Sequence, residues 1–422
     1  MTEFLRLLPP DDARTLFIST MSSSPVETEL AATPEAMGRV TAQDISAPHP
    51  LPEFPRSTVD GYALMARDTF GANSSLPAYL KLSGEVGMGS APLFRLEPGQ
   101  CALIHTGGML PDGADAVAML ENSQTLHSPV DSEAAAVEVE ILKSIAPGEN
   151  VISVGEDVKT GQVVIPRGIR LRPQEIGGLM ALGMTSVPVA RRPRVGLISS
   201  GDEIVDPSAR TLPGQVRDVN AFSLSALVSE LGGAPIFFGV VRDEPGRAEV
   251  VARQALLACD MVVITAGSSA SARDLTAATI ASLGPPGVLV HGLNIRPGKP
   301  TILGVCGGKA VIGLPGNPVS ALVIARLFVA PAIAKLLGIM HESPRASIKA
   351  RLAVNLASQT GREDWWPVQL REDSNQPRQW IAEPVFGRSN LIFNLVAAHG
   401  LVRVAPDVNG LSAGAIVEVE PF

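Results

Sequence analysis

Two cationic residues stand close together in a proline-stiffened loop, Arg296-Pro-Gly-Lys299-Pro. Two short apolar segments follow, 301–305 and 309–313, and the glycine pair between them predicts a turn. The chain then runs through Leu314-Pro-Gly-Asn-Pro318 into a long apolar segment. Proline is tolerated at a helix start, where free N–H groups attract anions. The stretch is therefore either an anion site or a proline-rich turn with two solvated cations.

Acidic residues follow three successive segments that have the pattern of buried strands. Glu203 comes after 195–199, Asp243 after 235–241, and Asp274 after 261–265 and a loop. Ligands of an open α/β sheet bind outside the carboxyl ends of its strands. A few carboxylates together with phosphate oxygens suit Mg²⁺. We therefore predict Asp243, Asp274 and Glu203 as metal ligands; the alternative is that Glu203 and Asp274 are helix-cap or loop acids.

Helical patterns separate these strand patterns, at 221–231, 244–259 and 274–283. Such alternation predicts a parallel sheet with helices on both faces. Asn220 is the expected N-cap of the first of these helices, and Asp218-Val-Asn220 as a whole is first interpreted as a cap. The loop that contains Gly267, Ser268 and Ser269 lies between strand and helix, so it is either a phosphate-binding loop or a flexible turn.

The first half of the chain has a different pattern. Thr33-Pro34-Glu35 predicts a helix start, with Thr33 as N-cap and the helix continuing through Val40 to Asp44. Segment 76–141 consists of short apolar runs cut by Gly and Pro, which is typical of a small β domain. Asp60, in Arg56-Ser-Thr-Val-Asp60-Gly-Tyr-Ala, is either a turn residue or a site residue.

Several of these motifs together resemble the molybdopterin molybdenumtransferase family, the MoeA type, which includes the C-terminal domain of gephyrin. The resemblance rests on Arg-Pro-Gly-Lys-Pro and Gly-Leu-Pro-Gly-Asn-Pro-Val-Ser at 296–320, and it covers nearly the whole chain in the family's order. It implies active-site roles for Asp60, Glu203, Asp243 and Asp274. It also implies that the substrate-binding residues are Thr106, Asp157, Gly267, Ser268, Ser269, Arg296, Lys299, Pro315, Asn317, Pro318 and Ser389.

The chain departs from the family's pattern at two cations. The family usually has an arginine just before Gly155-Glu-Asp157, where this chain has Ile152, Ser153 and Val154. Many members also carry a lysine where this chain has Gly292. At the position before Gly155, a cation that binds phosphate or pterin is therefore missing or supplied from elsewhere.

The fold that this resemblance implies is multidomain α/β plus β. A split N-terminal linker and helical domain is expected at 1–46 and 157–189, with a small β domain inserted at 47–156. A central parallel α/β domain like MogA and MoaB, which binds molybdopterin, is expected at 190–342. Short strand patterns around Trp365-Trp366 predict a terminal β domain from about 343 onward, and the resemblance implies that it is a C-terminal β-barrel domain at 343–422.

Composition excludes several other classes of protein. Acidic residues number 42 and basic residues 34, so the net charge of −8 argues against a general nucleic-acid binder. Cys101, Cys259 and Cys306 fit neither a disulfide framework nor a zinc pattern, which suits a reducing cytoplasm. The acidic N-terminus does not have the pattern of a signal peptide. Segment 319–337 is interrupted by charges and a proline, so we interpret it as a core helix rather than a membrane span.

The resemblance implies an enzyme of molybdenum cofactor biosynthesis, a Mg²⁺-dependent transferase in the cytoplasm. It would insert molybdate into adenylylated molybdopterin and release AMP. The expected partners are a second copy of the chain, as a homodimer, and transiently the molybdopterin adenylyltransferase. Two alternatives stay open: the chain is itself that adenylyltransferase, or it is a non-catalytic scaffold like gephyrin.

Overall fold

The computed structural model describes residues 7–126, 137–244, 246–266, 270–340, 346–374, 376 and 378–422, without the side chains of 270–274. The chain forms two compact units. The larger unit comprises Met1–Gln43, Arg167–Ile176 and Thr185–Phe422, and the smaller comprises Asp44–Pro166 and Gly177–Met184. The smaller unit therefore interrupts the larger one in sequence.

A six-stranded sheet forms the centre of the larger unit. Its strands, in spatial order, are Ala234–Val241, Arg194–Ser200, Met261–Ala266, Lys309–Pro315, Ile302–Cys306 and Pro286–His291. The first four strands pair in parallel. Strand Ile302–Cys306 pairs antiparallel with Lys309–Pro315, and Pro286–His291 pairs antiparallel with Ile302–Cys306. The glycine turn predicted between 301–305 and 309–313 is confirmed, because Gly307 and Gly308 join the two neighbouring strands with positive φ angles.

Helices cover both faces of this sheet, as predicted. Alternate residues of strand Met261–Ala266 enter two separate apolar cores: Met261 and Val263 one, Val262 and Ile264 the other. Strands buried on both faces have continuous apolar sequences, and this strand is buried throughout. The first core includes residues of helices Pro10–Thr20 and Asn220–Glu230, and the second includes residues of helices Arg247–Ala258 and Ala270–Ser282.

The long apolar helix after the Leu314-Pro-Gly-Asn-Pro318 motif lies in the first core. It consists of α-helix Pro318–Ile324, a π-helical turn Ala325–Val329 and α-helix Ala330–Leu336. Segment Pro318–Leu336 is long and apolar enough to span a membrane, but 67% of it is buried inside the protein. It therefore serves as a packing element of the larger unit.

A closed five-stranded barrel forms the C-terminal part of the larger unit. Around the ring its strands are Glu363–Glu372, Trp380–Pro384, Ile348–Leu352, Ile416–Pro421 and Gly400–Val404, and the last pairs again with the first. A short helix, Phe393–Val396, precedes the last-named strand of the ring. The two-residue strand Ile295–Arg296 pairs in parallel with Glu363 and Asp364 of the barrel. The loop with the two cations is thereby hydrogen-bonded to the barrel.

The smaller unit contains a mixed six-stranded sheet. In spatial order its strands are Ala116–Met119, Gly61–Leu64, Gln100–Ile104, Ala78–Glu85, Glu138–Ile141 and Ser123–Leu126. Two short antiparallel pairs accompany it, Arg56–Ser57 with Val151–Ile152 and Ile45–Ser46 with Val163–Ile165. The predicted β domain at 76–141 is therefore present within this sheet.

Two helix predictions were wrong in detail. A single 3-10 turn, Thr33–Glu35, replaces the predicted helix through Asp44, and it has no side-chain cap. Gly38 then takes a φ of +76°, and Val40 forms a β-bridge with Arg170, so the chain leaves the helical conformation at once. Helix Asn220–Glu230 includes Asn220 itself, and Asp218 rather than Asn220 accepts from a backbone N–H, that of Ala221, at 3.0 Å.

The remaining elements of the chain are short. Strand Thr28–Ala32 pairs with Ser186–Ala190 in the larger unit. Helix Pro173–Ala181 is a further short element. Helix Arg247–Ala258 begins after Gly246, whose φ is +81°, and so it starts later than the predicted 244.

Candidate functional site

A cavity of about 680 Å³ in the larger unit contains most of the predicted anion-binding residues. Arg296, Lys299, Pro315 and Asn317 line it, as does Ser389. Sequence reasoning missed the other cationic and aromatic side chains that line the same cavity, which are Arg362, Arg388, Trp365 and Trp366. We call this space the cationic cavity.

The backbone of the Arg296–Lys299 loop is held tightly against the core. Gly298 has a φ of +112°, and a Cβ placed there would come within 2.3 Å of the Ile324 side chain. Thr301 is fully buried, and its Oγ1 donates to the carbonyl oxygen of Gly298 at 2.7 Å. Any other residue at 298 would displace this loop, so the glycine fixes where the two cations emerge.

Positive charge exceeds negative charge in the cationic cavity. Four cationic side chains line it, and Asp364 is the single acid among the described lining residues. Asp364 is buried and accepts from Nε and Nη2 of Arg362 at 2.7 and 3.0 Å. The Arg296 guanidinium lies 5.4 Å from the centroid of the Trp366 ring, a cation–π contact. Lys299 has no acidic partner in the described ranges, so this cavity favours an anion.

The predicted Ser389 lies in a loop that is bonded to the start of the long apolar helix. Asn317 Nδ2 donates to Ser389 Oγ at 3.1 Å, and the backbone N–H of Val319 donates to the Ser389 carbonyl oxygen at 3.1 Å. The predicted Pro315, Asn317 and Ser389 therefore form one connected wall. One backbone N–H of the helix start is thereby already paired within the protein.

A second cavity of about 340 Å³ shares Asn317 and Asn390 with the first. Glu203 and Pro318, both predicted from sequence, line it together with Asp218. Asp218 is buried and accepts from the Ser199 hydroxyl at 2.5 Å. Arg217 is the cation of its lining; we call this space the acceptor cavity after the two carboxylates of Glu203 and Asp218.

The acids at two adjacent strand ends come together beside the sheet. Ser200 Oγ donates to Asp243 Oδ1 at 2.8 Å, and the backbone N–H of Asp243 donates to Asp202 Oδ1 at 3.3 Å. Asp243 lines a small separate pocket, whereas Glu203 lines the acceptor cavity. Within the described side chains no three His, Cys, Asp or Glu residues cluster as metal ligands.

Part of the predicted site lies outside what the structure describes. Gly267, Ser268 and Ser269 are outside the described residues, so their predicted phosphate contacts stay predictions. The backbone of Asp274 lies in helix Ala270–Ser282, but its side chain is not described. Of the three predicted metal ligands, the structure therefore describes the side chains of Asp243 and Glu203 but not that of Asp274.

In the smaller unit, Asp60 and Thr106 contact each other directly. Asp60 Oδ1 accepts from the backbone N–H of Thr106 at 2.7 Å and from its Oγ1 at 3.1 Å. These donors, with a smaller contribution from the charge of His105, hold the pKa of Asp60 below its usual value. A Cβ on Gly61 would lie 1.9 Å from the Ala118 carbonyl oxygen, so the glycine is required beside this acid. Asp157 is exposed and makes only a backbone hydrogen bond, to Leu51.

Replacing Thr106 with Val is expected to raise the pKa of Asp60 toward its usual value without restoring it fully. The variant removes the Oγ1 donor but keeps the backbone N–H, which is the larger cause of the lowered pKa. A carboxyl-carbon NMR titration of Asp60 measures the change. Thr125→Val, which removes the hydroxyl bonded to Tyr62, is the matched control. An unchanged Asp60 pKa in Thr106→Val would contradict this assignment.

The Asp60 carboxylate also makes a small contribution to the stability of its own loop, and this contribution depends on pH. Its pKa in the folded chain is lower than in the unfolded chain, so its stabilising contacts are present above the unfolded pKa. They are lost as the pH falls through the folded value. Because the Asp60 side chain is 55% exposed, this effect concerns the local loop rather than global stability.

Family profiles match nearly the whole chain in three consecutive blocks. The profile described as MoeA N-terminal region (domain I and II) matches residues 8–183. The profile described as "Probable molybdopterin binding domain" matches 196–335, and MoeA C-terminal region (domain IV) matches 349–422. The order of the blocks is the order of the motifs along the sequence.

Individual relatives give the same result over the full length. The chain is 33% identical to the molybdopterin molybdenumtransferase of Bacillus subtilis over 395 residues, covering 93% of this chain and 89% of that protein. It is 32% identical to the Haemophilus influenzae protein of the same name over 419 residues, 99% of each. The solved structure of the molybdopterin biosynthesis MoeA protein from Pyrococcus horikoshii OT3 is 31% identical, with a TM-score of 0.82 over 99% of this chain and 100% of that one.

Proposed function

Because the chain belongs to the molybdopterin molybdenumtransferase (MoeA) family, a family of transferases in molybdenum cofactor biosynthesis, we propose that it inserts molybdate into adenylylated molybdopterin. AMP leaves in the same overall reaction. The single observation that carries the proposal is the cationic cavity, in which four cations face one carboxylate. Molybdate is the substrate oxyanion that this charge would hold.

The residues of the cationic cavity support binding and orientation of an oxyanion. Lys299 and Arg388 supply donors without an acidic partner in the described part of the larger unit. Arg362 is fixed by Asp364, so it offers charge from a defined position. Preorganised cations of this kind stabilise charge without reorganising during the reaction. Positioning and charge stabilisation are therefore the main work of this site.

We propose Mg²⁺ as the metal, held by Asp243 and Asp274, whereas Glu203 lines the separate acceptor cavity. The described acids fit such an ion, because Mg²⁺ is usually bound through only one or two carboxylates together with substrate phosphates. Asp243 and Asp202 lie at adjacent strand ends, where such phosphates would approach. When bound, Mg²⁺ would neutralise charge on the pyrophosphate linkage. The hydroxyl of Ser200 donates to the Asp243 carboxylate and so holds it in a fixed orientation.

Asp243→Asn is expected to raise the Mg²⁺ concentration needed for half-maximal AMP release by about tenfold, since it removes one ligand charge. The assay supplies adenylylated molybdopterin and molybdate, varies Mg²⁺ and quantifies AMP by chromatography. Glu249→Gln is the control, because Glu249 is an exposed helix acid paired with Arg253. An unchanged Mg²⁺ requirement in Asp243→Asn would reject the metal role. No AMP release by the unaltered protein would reject the proposed reaction itself.

We also propose that the chain works in the cytoplasm as a homodimer. Three free, buried cysteines are compatible with a reducing compartment, and two-fold dimers are the commonest oligomers. A transient contact with the molybdopterin adenylyltransferase would pass on the adenylylated substrate. Sedimentation analysis of the purified chain at several concentrations measures the dimer directly.

A further inference from the structure

The side-chain amide of Asn220 is buried with one of its two polar atoms unpaired. Only 8% of the surface of this residue is exposed. Its Nδ2 donates to the carbonyl oxygen of Gly316 at 2.8 Å. Its Oδ1 has no hydrogen-bond partner among the residues that the structure describes. Buried polar atoms in native proteins nearly always have partners, so this oxygen calls for one.

The hydrogen bond to Gly316 determines which way the amide points. Turning the amide over would place Oδ1 against the Gly316 carbonyl oxygen, and two acceptors would then face each other. Gly316 belongs to the Leu314-Pro-Gly-Asn-Pro318 motif, so the motif that leads into the long helix also orients Asn220. Oδ1 is therefore the free atom, and it can only accept.

Asn220 lines the acceptor cavity together with two acids, Glu203 and Asp218, and one cation, Arg217, whose Nε donates to the carbonyl oxygen of Pro207 at 2.8 Å. Glu203 and Asp218 contribute carboxylates to the lining, and Gly316 lies beside them. Both oxygens of Asp218 already have donors, from Ser199 and from the backbone N–H of Ala221. A ligand group that pairs with Asn220 Oδ1 must donate, because an amide oxygen can only accept.

We propose that Asn220 Oδ1 accepts a hydrogen bond from an amino group on an aromatic heterocycle of the substrate. The donor-bearing ring would lie in the acceptor cavity, with the anionic part of the molecule toward the cationic cavity. The two cavities share Asn317 and Asn390, so one elongated molecule can enter both. This inference rests on the proposed function, because adenylylated molybdopterin carries amino-bearing rings at both ends, pterin and adenine.

A metal ion is a weaker explanation for the unpaired oxygen. A cation at Asn220 would need several further oxygen ligands; those of Asp218 are already hydrogen-bonded, which leaves Glu203 as the one other acid among the described residues that line the cavity. The described side chains also contain no cluster of three or more metal-ligating groups. An amino group needs only one acceptor in the right place, and Asn220 supplies it.

Two ligand pairs test this role and identify the ring. The first pair is 6-carboxypterin and its analogue without the 2-amino group; the second is AMP and its analogue without the 6-amino group. The full-length protein is expected to bind the amino-bearing member of one pair about tenfold more tightly, the value of a typical hydrogen bond in a buried site. The pair that shows the difference identifies the ring as pterin or adenine.

The Asn220→Ala variant is expected to bind both members of that pair with equal affinity. Asn355→Ala is the matched control, because Asn355 is an exposed asparagine of the larger unit that lines neither cavity, and this variant is expected to keep the tenfold difference. Circular dichroism verifies that each variant is folded. If Asn220→Ala does not fold, Asn220→Ser replaces it. The serine side chain is also too short to reach the amino group of the ligand.

Equal affinity of the unaltered protein for both members of both pairs would overturn the proposal, whatever the variants do. A tenfold difference that persists in Asn220→Ala would also overturn it, because the donor would then bind elsewhere. AMP release from adenylylated molybdopterin is measured separately on the unaltered protein. If AMP is released but neither pair is distinguished, only the role of Asn220 fails.

Discussion

Lys299→Glu is expected to lower molybdate-dependent turnover by about 100-fold or more, the loss typical when one preorganised charge-stabilising group is removed. The side chain lines the cationic cavity and has no acidic partner in the described part of the chain. Reversal of its charge places a carboxylate where the oxyanion would bind. Binding of adenylylated molybdopterin is expected to weaken much less, because most of that molecule would contact other residues.

The measurement for Lys299→Glu compares turnover at varied molybdate with direct binding of the pterin substrate. Lys159→Glu is the control, since Lys159 is an exposed lysine of the smaller unit and its reversal changes the net charge by the same amount. Equal losses of molybdate use and pterin binding would mean that Lys299 contacts the pterin phosphate instead.

Asp364→Asn is expected to destabilise the C-terminal barrel by about 3 kcal/mol and to lower the affinity for molybdate as well. Asp364 is buried with 1% exposure and holds the guanidinium of Arg362 through two hydrogen bonds. Removal of the negative charge leaves Arg362 partly buried without compensation. Arg362 would then no longer be fixed at the wall of the cationic cavity.

Asp373→Asn is the matched control for Asp364→Asn. Asp373 is equally buried in the same barrel and pairs with Arg351, but neither residue lines the cationic cavity. Denaturant unfolding is expected to show a comparable loss of stability in both variants, and molybdate binding a loss only in Asp364→Asn. Equal molybdate affinity in the two variants would restrict Asp364 to a role in stability.

Local patterns predicted the α/β sheet and the hairpin well, because their residues are buried on both faces and their turns carry paired glycines. The helix at 33–44 failed because Gly38 adopts a positive φ, and propensity alone does not reveal the pairing of Val40 with Arg170. In the Asp218–Asn220 stretch, the side chain of Asp218 accepts from a backbone N–H of the helix start. The sequence alone did not show which of the two polar side chains, Asp218 or Asn220, would do so. The division of the chain into four domains stays a prediction.

The site was predicted least well where it depends on long-range packing. Arg296 and Lys299 attract notice as cations in a rigid loop, whereas Arg362, Asp364 and Trp366 look like ordinary strand residues in sequence. They reach the cationic cavity because the strand at Arg296 pairs with the barrel, and no local pattern encodes that pairing. In the C-terminal part of the sequence, the signal for a binding site was the polar stretch Gly387-Arg388-Ser389-Asn390, which lines the cationic cavity.

The pairing of Ile295–Arg296 with Glu363 and Asp364 also determines when the cationic cavity can form during synthesis. Domains generally fold as they leave the ribosome, N-terminal parts first. The α/β sheet is complete once Lys309–Pro315 has emerged, but the walls from Trp366 and Arg388 are translated later, and the barrel closes only with Ile416–Pro421. A nascent chain can therefore fold its central sheet long before it can hold an oxyanion. Competence to bind the anion is acquired only when nearly the whole polypeptide has been made.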